Sequence, residues 1–373
     1  MPLVGQANRC PLIQQLVFDV SARYDRYSDF GSSYVPKGVL RWKMSKALTW
    51  RASYSLSFKS PTLYELYSAP FAEEISAPSP VAAPTGVVNT LLIDGGNTQL
   101  KPERTRSFEV GVSYQPEGLR DLQFDFAARH ISYTQRIDQL SQDGFADTSA
   151  IADAPVLGHL VTLNPSASQA QQALNTPGLI QYTPVDVNNL AALVYLGFQN
   201  VGSMSIESFD AAFHYRHELG AGVLAADLDN FYFGSYEVRI TPQSSPTSLV
   251  GGAYRPVRLR SRLNVTFMEN NWAANARANL TGSYHNANDP ACPEGSGCPV
   301  SARVTVDAAI QYSSPANGDS PLHGTRVAFT VTNAFNRPPP YLYGGRGLNY
   351  DPANASPLGR TVAITITKQW GRG

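Results

Sequence analysis

Arg258, Arg260 and Arg262 occupy alternate positions of the stretch VRLRSRLNVTF. On an extended backbone that spacing sends all three guanidinium groups to one face, opposite Leu259, Leu263 and Val265. Such a row can hold carboxylates in an ion-pair ladder or offer a track to an anionic ligand. The expected carboxylates are Asp210 and Asp307 on adjacent strands, or acidic groups of another domain. Arg51, within ALTWRASYSLSFK, is a fourth guanidinium in the same kind of setting. Neither role requires a covalent step.

Groups suited to catalysis are scattered. There is no G-x-S-x-G elbow, H-E-x-x-H helix or glycine-rich phosphate loop. The six histidines are His130, His159, His214, His217, His285 and His323. His214 and His217 fall on opposite faces of a strand and make a poor metal pair. A loop histidine, His159 or His285, could serve as an axial haem ligand, but nothing selects either. Asp19 and Asp25 read as salt-bridge partners rather than a glycosidase dyad. Asp143, Asp147 and Asp153 do not follow the calcium-loop spacing. No catalytic residue, metal ligand or cofactor is expected. Cys292 and Cys298 enclose the polar turn CPEGSGC, so the expectation is a local disulfide in an oxidising compartment, with two free thiols as the alternative. Cys10 has no evident partner.

The elements that position these groups alternate with a period of two. Leu48, Trp50, Ala52, Tyr54, Leu56 and Phe58 oppose Thr49, Arg51, Ser53, Ser55, Ser57 and Lys59. The pattern recurs in LVFDVSARYDRY, in RSFEVGVSY and LQFDF, and again around Phe209–Tyr215, Leu259–Phe267, Trp272–Tyr284, Val304–Tyr312, Val327–Val331 and Val362–Ile366. About twelve strands result. Short links near 43–46, 116–120, 217–222, 268–271 and 314–324 alternate with long ones at 59–103, 137–200, 237–254, 285–302 and 335–357. The long ones are rich in Pro, Ala, Ser, Gly and Asn, which reads as loop rather than packed domain. Within them SASQAQQALN suits a short helix ended by Pro177 and Gly178.

The chain has 373 residues and zero formal net charge, which gives no footprint for nucleic acid. Only 16% of residues are charged, against roughly 25% for an average soluble domain. The N-terminal stretch does not read as a secretory signal, and no run approaches the roughly 20 apolar residues of a membrane helix. Long strands with one aromatic and one hydroxyl- or amide-rich face fit a transmembrane antiparallel β-barrel better than a soluble sandwich. On that reading the aromatic face is the dry one and meets lipid.

Several phrases resemble the TonB-dependent outer-membrane receptors. DRYSDFGSSYVP followed by WRASYSLSFKSPTLYELY is similar to a family stretch, through Asp25, Tyr27, Asp29, Gly31, Arg51, Pro61 and Glu65. GNTQLKPE matches the entry to the next strand at Gly96, Asn97, Pro102 and Glu103, and VTNAFNRPP the penultimate one at Asn333 and Phe335. The closing strand ends at Trp370, where the family usually ends on an aromatic residue; here a tail, 371–373, follows.

The resemblance implies a barrel of about 22 strands, filled by an N-terminal plug and driven through the TonB complex. With about twelve strands and neither plug nor TonB box in view, residues 16–370 read as the C-terminal portion of such a barrel, after an irregular start at 1–15. The implied role is energised uptake of a siderophore, cobalamin or oligosaccharide across the Gram-negative outer membrane. The implied partners are outer-membrane lipid, the plug and TonB complex, the barrel-assembly machinery and a small ligand. The alternatives are a passive porin-like channel and an adhesin. Arg51, Arg258, Arg260 and Arg262 are expected to face the lumen or plug. The other matched residues are expected to shape strand exits and turns.

Overall fold

In the computed structural model the described residues are 2–4, 13–28, 31–78, 87–139, 160–200, 202–239, 244–287, 289–292, 297–315, 322–344 and 348–369. The chain opens with β1 (Pro2–Val4), β2 (Gln15–Tyr27), β3 (Gly31–Lys43) and β4 (Leu48–Lys59), then helix α1 (Leu63–Tyr67). Next come β5 (Phe71–Pro78), β6 (Val87–Asp94), β7 (Glu103–Tyr114), β8 (Leu122–Thr134), β9 (Ile137–Asp138) and β10 (Val161–Leu163). Helix α2 (Ala167–Leu174) precedes β11 (Ile180–Gln181), β12 (Ala192–Tyr195), β13 (Gln199–Asn200), β14 (Ser203–Leu219) and β15 (Gly222–Arg239). The remainder is β16 (Thr247–Ser248), β17 (Leu259–Glu269), β18 (Trp272–Thr281), β19 (Tyr284–Asn286), β20 (Cys298–Val300), β21 (Arg303–Ser313), β22 (Thr325–Thr332) and β23 (Thr361–Lys368).

The main sheet runs in the order β1-β2-β3-β4-β7-β8-β14-β15-β17-β18-β21-β22-β23, with β16 added beside β15. Its strands pair antiparallel with their neighbours in that order, as tight turns between long strands dictate. The sheet is open. Among the described residues β1 and β23 stand at opposite ends of the path and do not pair, so the expected barrel does not close. Closure requires strand number, tilt and register shear to agree, and alternation along single strands specifies none of the three.

Because the side-chain period is two and the register of the long strands is regular apart from a bulge at Glu207/Ser208, the sheet has one apolar and one polar face. The apolar face carries Phe18, Tyr54, Phe108, Phe126, Phe209, Leu263 and Ile310, all exposed. Ile364 and Ile366 on β23 keep 68% and 69% of their surface accessible. An apolar face of this extent left uncovered is the mark of an interaction surface, for protein or for membrane. Among the described residues no helix is long and apolar enough to cross a membrane, which says nothing about strands.

The long links differ from expectation. Segments 59–103 and 137–200 contribute a second sheet, ordered β10-β12-β6-β5-β11, whose β12–β6 and β11–β5 pairs are parallel. Ala72, Leu91, Ile93 and Leu193 of this sheet pack with Leu190 and with Ala170 and Ala173 of α2 into a buried core. Helix α2 starts where Ser166 and Gln169 form a reciprocal capping box. A packed unit therefore stands where composition suggested loop. The short apolar runs TLLI and ALVY are buried, but each is too brief to show a period.

Candidate functional site: the polar face and its rim

Glu109 on β7 organises one part of the polar face. Its Oε2 lies 2.7 Å from Arg129 Nη2 on β8, and its Oε1 lies 3.6 Å from Arg51 Nε on β4. Arg51 has room because its register partner is Gly111: a Cβ there would come within 2.7 Å of Arg51 Nε. A single carboxylate thus bridges two guanidinium groups, half-exposed and so contributing about 1 kcal/mol or less per pair. Further along, His214 Nδ1 sits 2.8 Å from Asp227 and its Nε2 3.8 Å from Asp125. Asp125 also accepts hydrogen bonds from Ser113 Oγ and from Gln123 Nε2.

The arginine row has other partners than expected. Arg258 donates to the Gly234 carbonyl at 2.9 Å, and Arg260 Nη2 donates to Asn354 Oδ1 at 2.8 Å. Asp307 instead accepts from Asn279 Nδ2 and from the Asn333 amide. Distance explains this. β15 intervenes between β17 and Asp210, and β18 intervenes between β17 and Asp307, a gap of roughly 10 Å across two strand spacings.

The matched residues of the strand exits build a rim junction. Thr62 caps α1, and Glu65 Oε2 accepts from the Thr62 amide at 2.6 Å. Lys59 Nζ lies 3.2 Å from Glu65 and 3.5 Å from Glu103, whose Oε1 accepts from the Ile137 amide at 2.8 Å. Asn97 donates its backbone amide to the Glu65 carbonyl and its side chain to the Phe198 carbonyl. Gly96 packs so closely that a Cβ would meet the Leu66 carbonyl at 2.7 Å. Leu66, Leu100, Ile137 and Phe198 fill the space beneath. Pro61 is buried beside the cap, and Pro102 immediately precedes β7. These residues dock the second sheet onto the main one.

The remaining matched positions are more dispersed. Asp25 accepts from Arg23 Nε at 2.7 Å, and Tyr27 packs edge-on against Phe58. Gly31 opens β3 at φ +88°. Asn333, buried at φ +51°, holds Arg337 through its side chain, whereas Phe335 is 71% exposed. Asp29, Trp370 and the 371–373 tail lie outside the described residues, as do Cys10, Asp143, Asp147, Asp153 and His159.

A second rim junction was not singled out by sequence. Asp351, fully buried, accepts from the amides of Tyr254 and Ala353 and from Asn354 Nδ2. Asn354 in turn donates to the Arg255 carbonyl and accepts from Arg260, tying the loop to the polar face. Burial pushes the Tyr284 phenol above the usual tyrosine range, and the negative charge of Asp351 beside it adds to the effect. Val257, Tyr284, Val300 and Leu342 form the local core. Next to it Cys292 and Cys298 are joined by a disulfide, with Cα atoms 5.4 Å apart, stapling the β19–β20 hairpin. Only the carboxylate's burial reveals this centre; DPANAS has no periodic signal. Among the described residues no cluster of three or more His, Cys, Asp or Glu side chains is placed to hold a metal ion.

Residues 9–334 match the sequence model of the TonB-dependent receptor-like β-barrel family. The chain belongs to that family. Its members are outer-membrane receptors and transporters, not enzymes, which places the chain in the outer membrane of a Gram-negative bacterium.

Among solved structures it is similar to the ferric enterobactin receptor PfeA of Pseudomonas aeruginosa in a mutant form, at 14% identity and TM-score 0.60, over 94% of this chain and 42% of that one. The enterobactin complex of another PfeA mutant gives 15% identity and TM-score 0.59, over 96% and 43%. The siderophore receptor PirA of Acinetobacter baumannii gives 16% and 0.57, over 94% and 43%. At such identities the likeness is one of fold. The chain spans less than half the length of these receptors. No curated protein matches the sequence.

Proposed function

We propose that the chain forms part of the wall of an outer-membrane receptor for energised uptake of a ferric siderophore, with its strands crossing the bilayer. The observation that carries this reading is the division of the main sheet into an exposed apolar face and a continuous polar face with paired charges. The apolar face contacts acyl chains. The polar face lines the water-filled path, and the second sheet forms part of the outer rim. Assembly-machinery contact and coupling to a plug and the TonB complex follow from the same reading. In hydrocarbon the open edges at β1 and β23 need pairing by further strands, since unpaired backbone groups there cost several kcal/mol each. Siderophore is preferred over cobalamin or oligosaccharide because the similar structures are named as siderophore receptors.

The test is transport by cells stripped of their own siderophore receptors and expressing the whole native gene. Accumulation of a labelled ferric catecholate that stops when the proton-motive force is dissipated is expected. Folded protein in the outer membrane with no ferric-siderophore accumulation contradicts the proposal. Energy-independent leakage of small solutes is the outcome that would favour a passive channel.

A further inference from the structure

Two rows of side chains cross four strands on the polar face, at the level of the arginine row. Asp210, Phe231, Arg260 and Thr281 are neighbours in register, and so are Ala212, Asp229, Arg262 and Asn279. Between the rows lies a cavity of about 250 Å³ lined by these residues. Its carboxylates, Asp210 and Asp229, come from β14 and β15, and its guanidinium groups, Arg260 and Arg262, come from β17.

These charges are not spent on one another. Asp229 stands directly opposite Arg262 in register, yet among the described residues Asp210, Asp229 and Arg262 make no ion pair or side-chain hydrogen bond. Arg260 makes one, to the neutral Asn354. Elsewhere on the same face opposite charges do meet, in Arg51–Glu109–Arg129 and His214–Asp227. Ala212 leaves the acidic end open, and Phe231 supplies an apolar surface midway. The slot is therefore dipolar, with an acidic side on β14 and β15 and a basic side on β17.

We propose that this slot binds a small linear zwitterion, an ω-amino carboxylate. Its ammonium group sits against Asp210 and Asp229, its carboxylate against Arg260 and Arg262, and its methylene chain over Phe231. The size agrees: the cavity equals about eight water volumes, enough for a solute of about ten heavy atoms. The spacing also agrees. Two strand spacings separate Asp210 from Arg260, roughly 10 Å between backbones, so a ligand that bridges that pair must hold its charges several bonds apart. An α-amino acid spans at most Asp229 and Arg262, one strand spacing apart, and leaves Asp210 and Arg260 unbridged.

The inference rests on the polar face being the water-filled side of the wall. The whole protein encoded by the native gene, inserted in lipid vesicles and verified as folded by heat-modifiable gel migration, is titrated calorimetrically with 6-aminohexanoate. Binding is expected, at least tenfold tighter than that of hexanoate or hexylamine. Asp229→Asn and Arg262→Gln should each weaken it about tenfold, the effect of one charge-assisted contact. Ala212→Leu should abolish it by filling the slot without altering charge, which provides a readout if a charge variant folds poorly. Inserted protein that fails to bind 6-aminohexanoate, binds hexanoate as tightly, or is indifferent to both Arg262→Gln and Ala212→Leu overturns the slot and leaves the wall reading standing. A whole protein that does not insert overturns the wall reading and the slot with it.

Discussion

Replacing Leu263 with arginine is expected to cost roughly 2–4 kcal/mol of membrane insertion, the penalty for a guanidinium on the lipid side of a strand near the bilayer midplane. Leu263 stands between Leu228 of β15 and Ala278 of β18 in register, and 41% of its surface is exposed on the apolar face. No carboxylate is available among these register partners to neutralise the new charge. The matched control is Arg260→Glu, three residues away and on the other face. It breaks one hydrogen bond to Asn354 but keeps the apolar face intact, so insertion should remain near the parental level. Urea titration of folding into vesicles measures both. Normal insertion of Leu263→Arg together with failure of Arg260→Glu would mean that the facing of β17 is shifted by one residue.

The second large effect is expected at Asp351. Its removal in Asp351→Ala takes the acceptor from four donors: the Tyr254 and Ala353 amides, Asn354 Nδ2 and the Tyr284 phenol. A buried donor without an acceptor costs about 1–3 kcal/mol, so a local loss of about 3 kcal/mol or more is expected. The loss should stay local, because the core of Val257, Tyr284, Val300 and Leu342 sits at the strand exits rather than within the main sheet. Hydrogen exchange should show the Tyr254 and Ala353 amides losing protection while amides of β17 and β18 keep theirs. Asp351→Asn, which retains an acceptor oxygen, should lie between parent and alanine. Unchanged exchange in Asp351→Ala would show that the carboxylate does not hold this loop.

Much of the main sheet is visible in the sequence because its strands obey one simple rule. Leu48–Lys59 alternates residue by residue, and β4 occupies that whole stretch. The strand-exit residues are legible for a related reason. Thr62 and Glu65 carry a local capping signal, and Gly96 permits an approach that a Cβ would block.

What escaped depends on distance in sequence or on crossing strands. Closure is a property of the whole sheet, so an open path between β1 and β23 cannot be read from any one strand. Asp210 and Asp307 share the face of Arg260 but stand two strands away, whereas its contact, Asn354, comes from a loop 94 residues later. The second sheet forms by parallel pairing of β12 with β6, a union of two short runs from different links. Asp351 looks ordinary in sequence and becomes informative only when its burial is known.

The central claim, that one face of the main sheet meets lipid and the other meets water, is tested most directly by scanning spin labels along Arg260–Phe267 in the membrane-inserted chain. Labels at Leu263, Val265 and Phe267 should be relaxed strongly by oxygen and weakly by a water-soluble nickel chelate. Labels at Arg260, Arg262 and Asn264 should show the reverse, so that accessibility alternates with the two-residue period of the strand. Uniform accessibility to the nickel chelate, or alternation in the opposite phase, would contradict it.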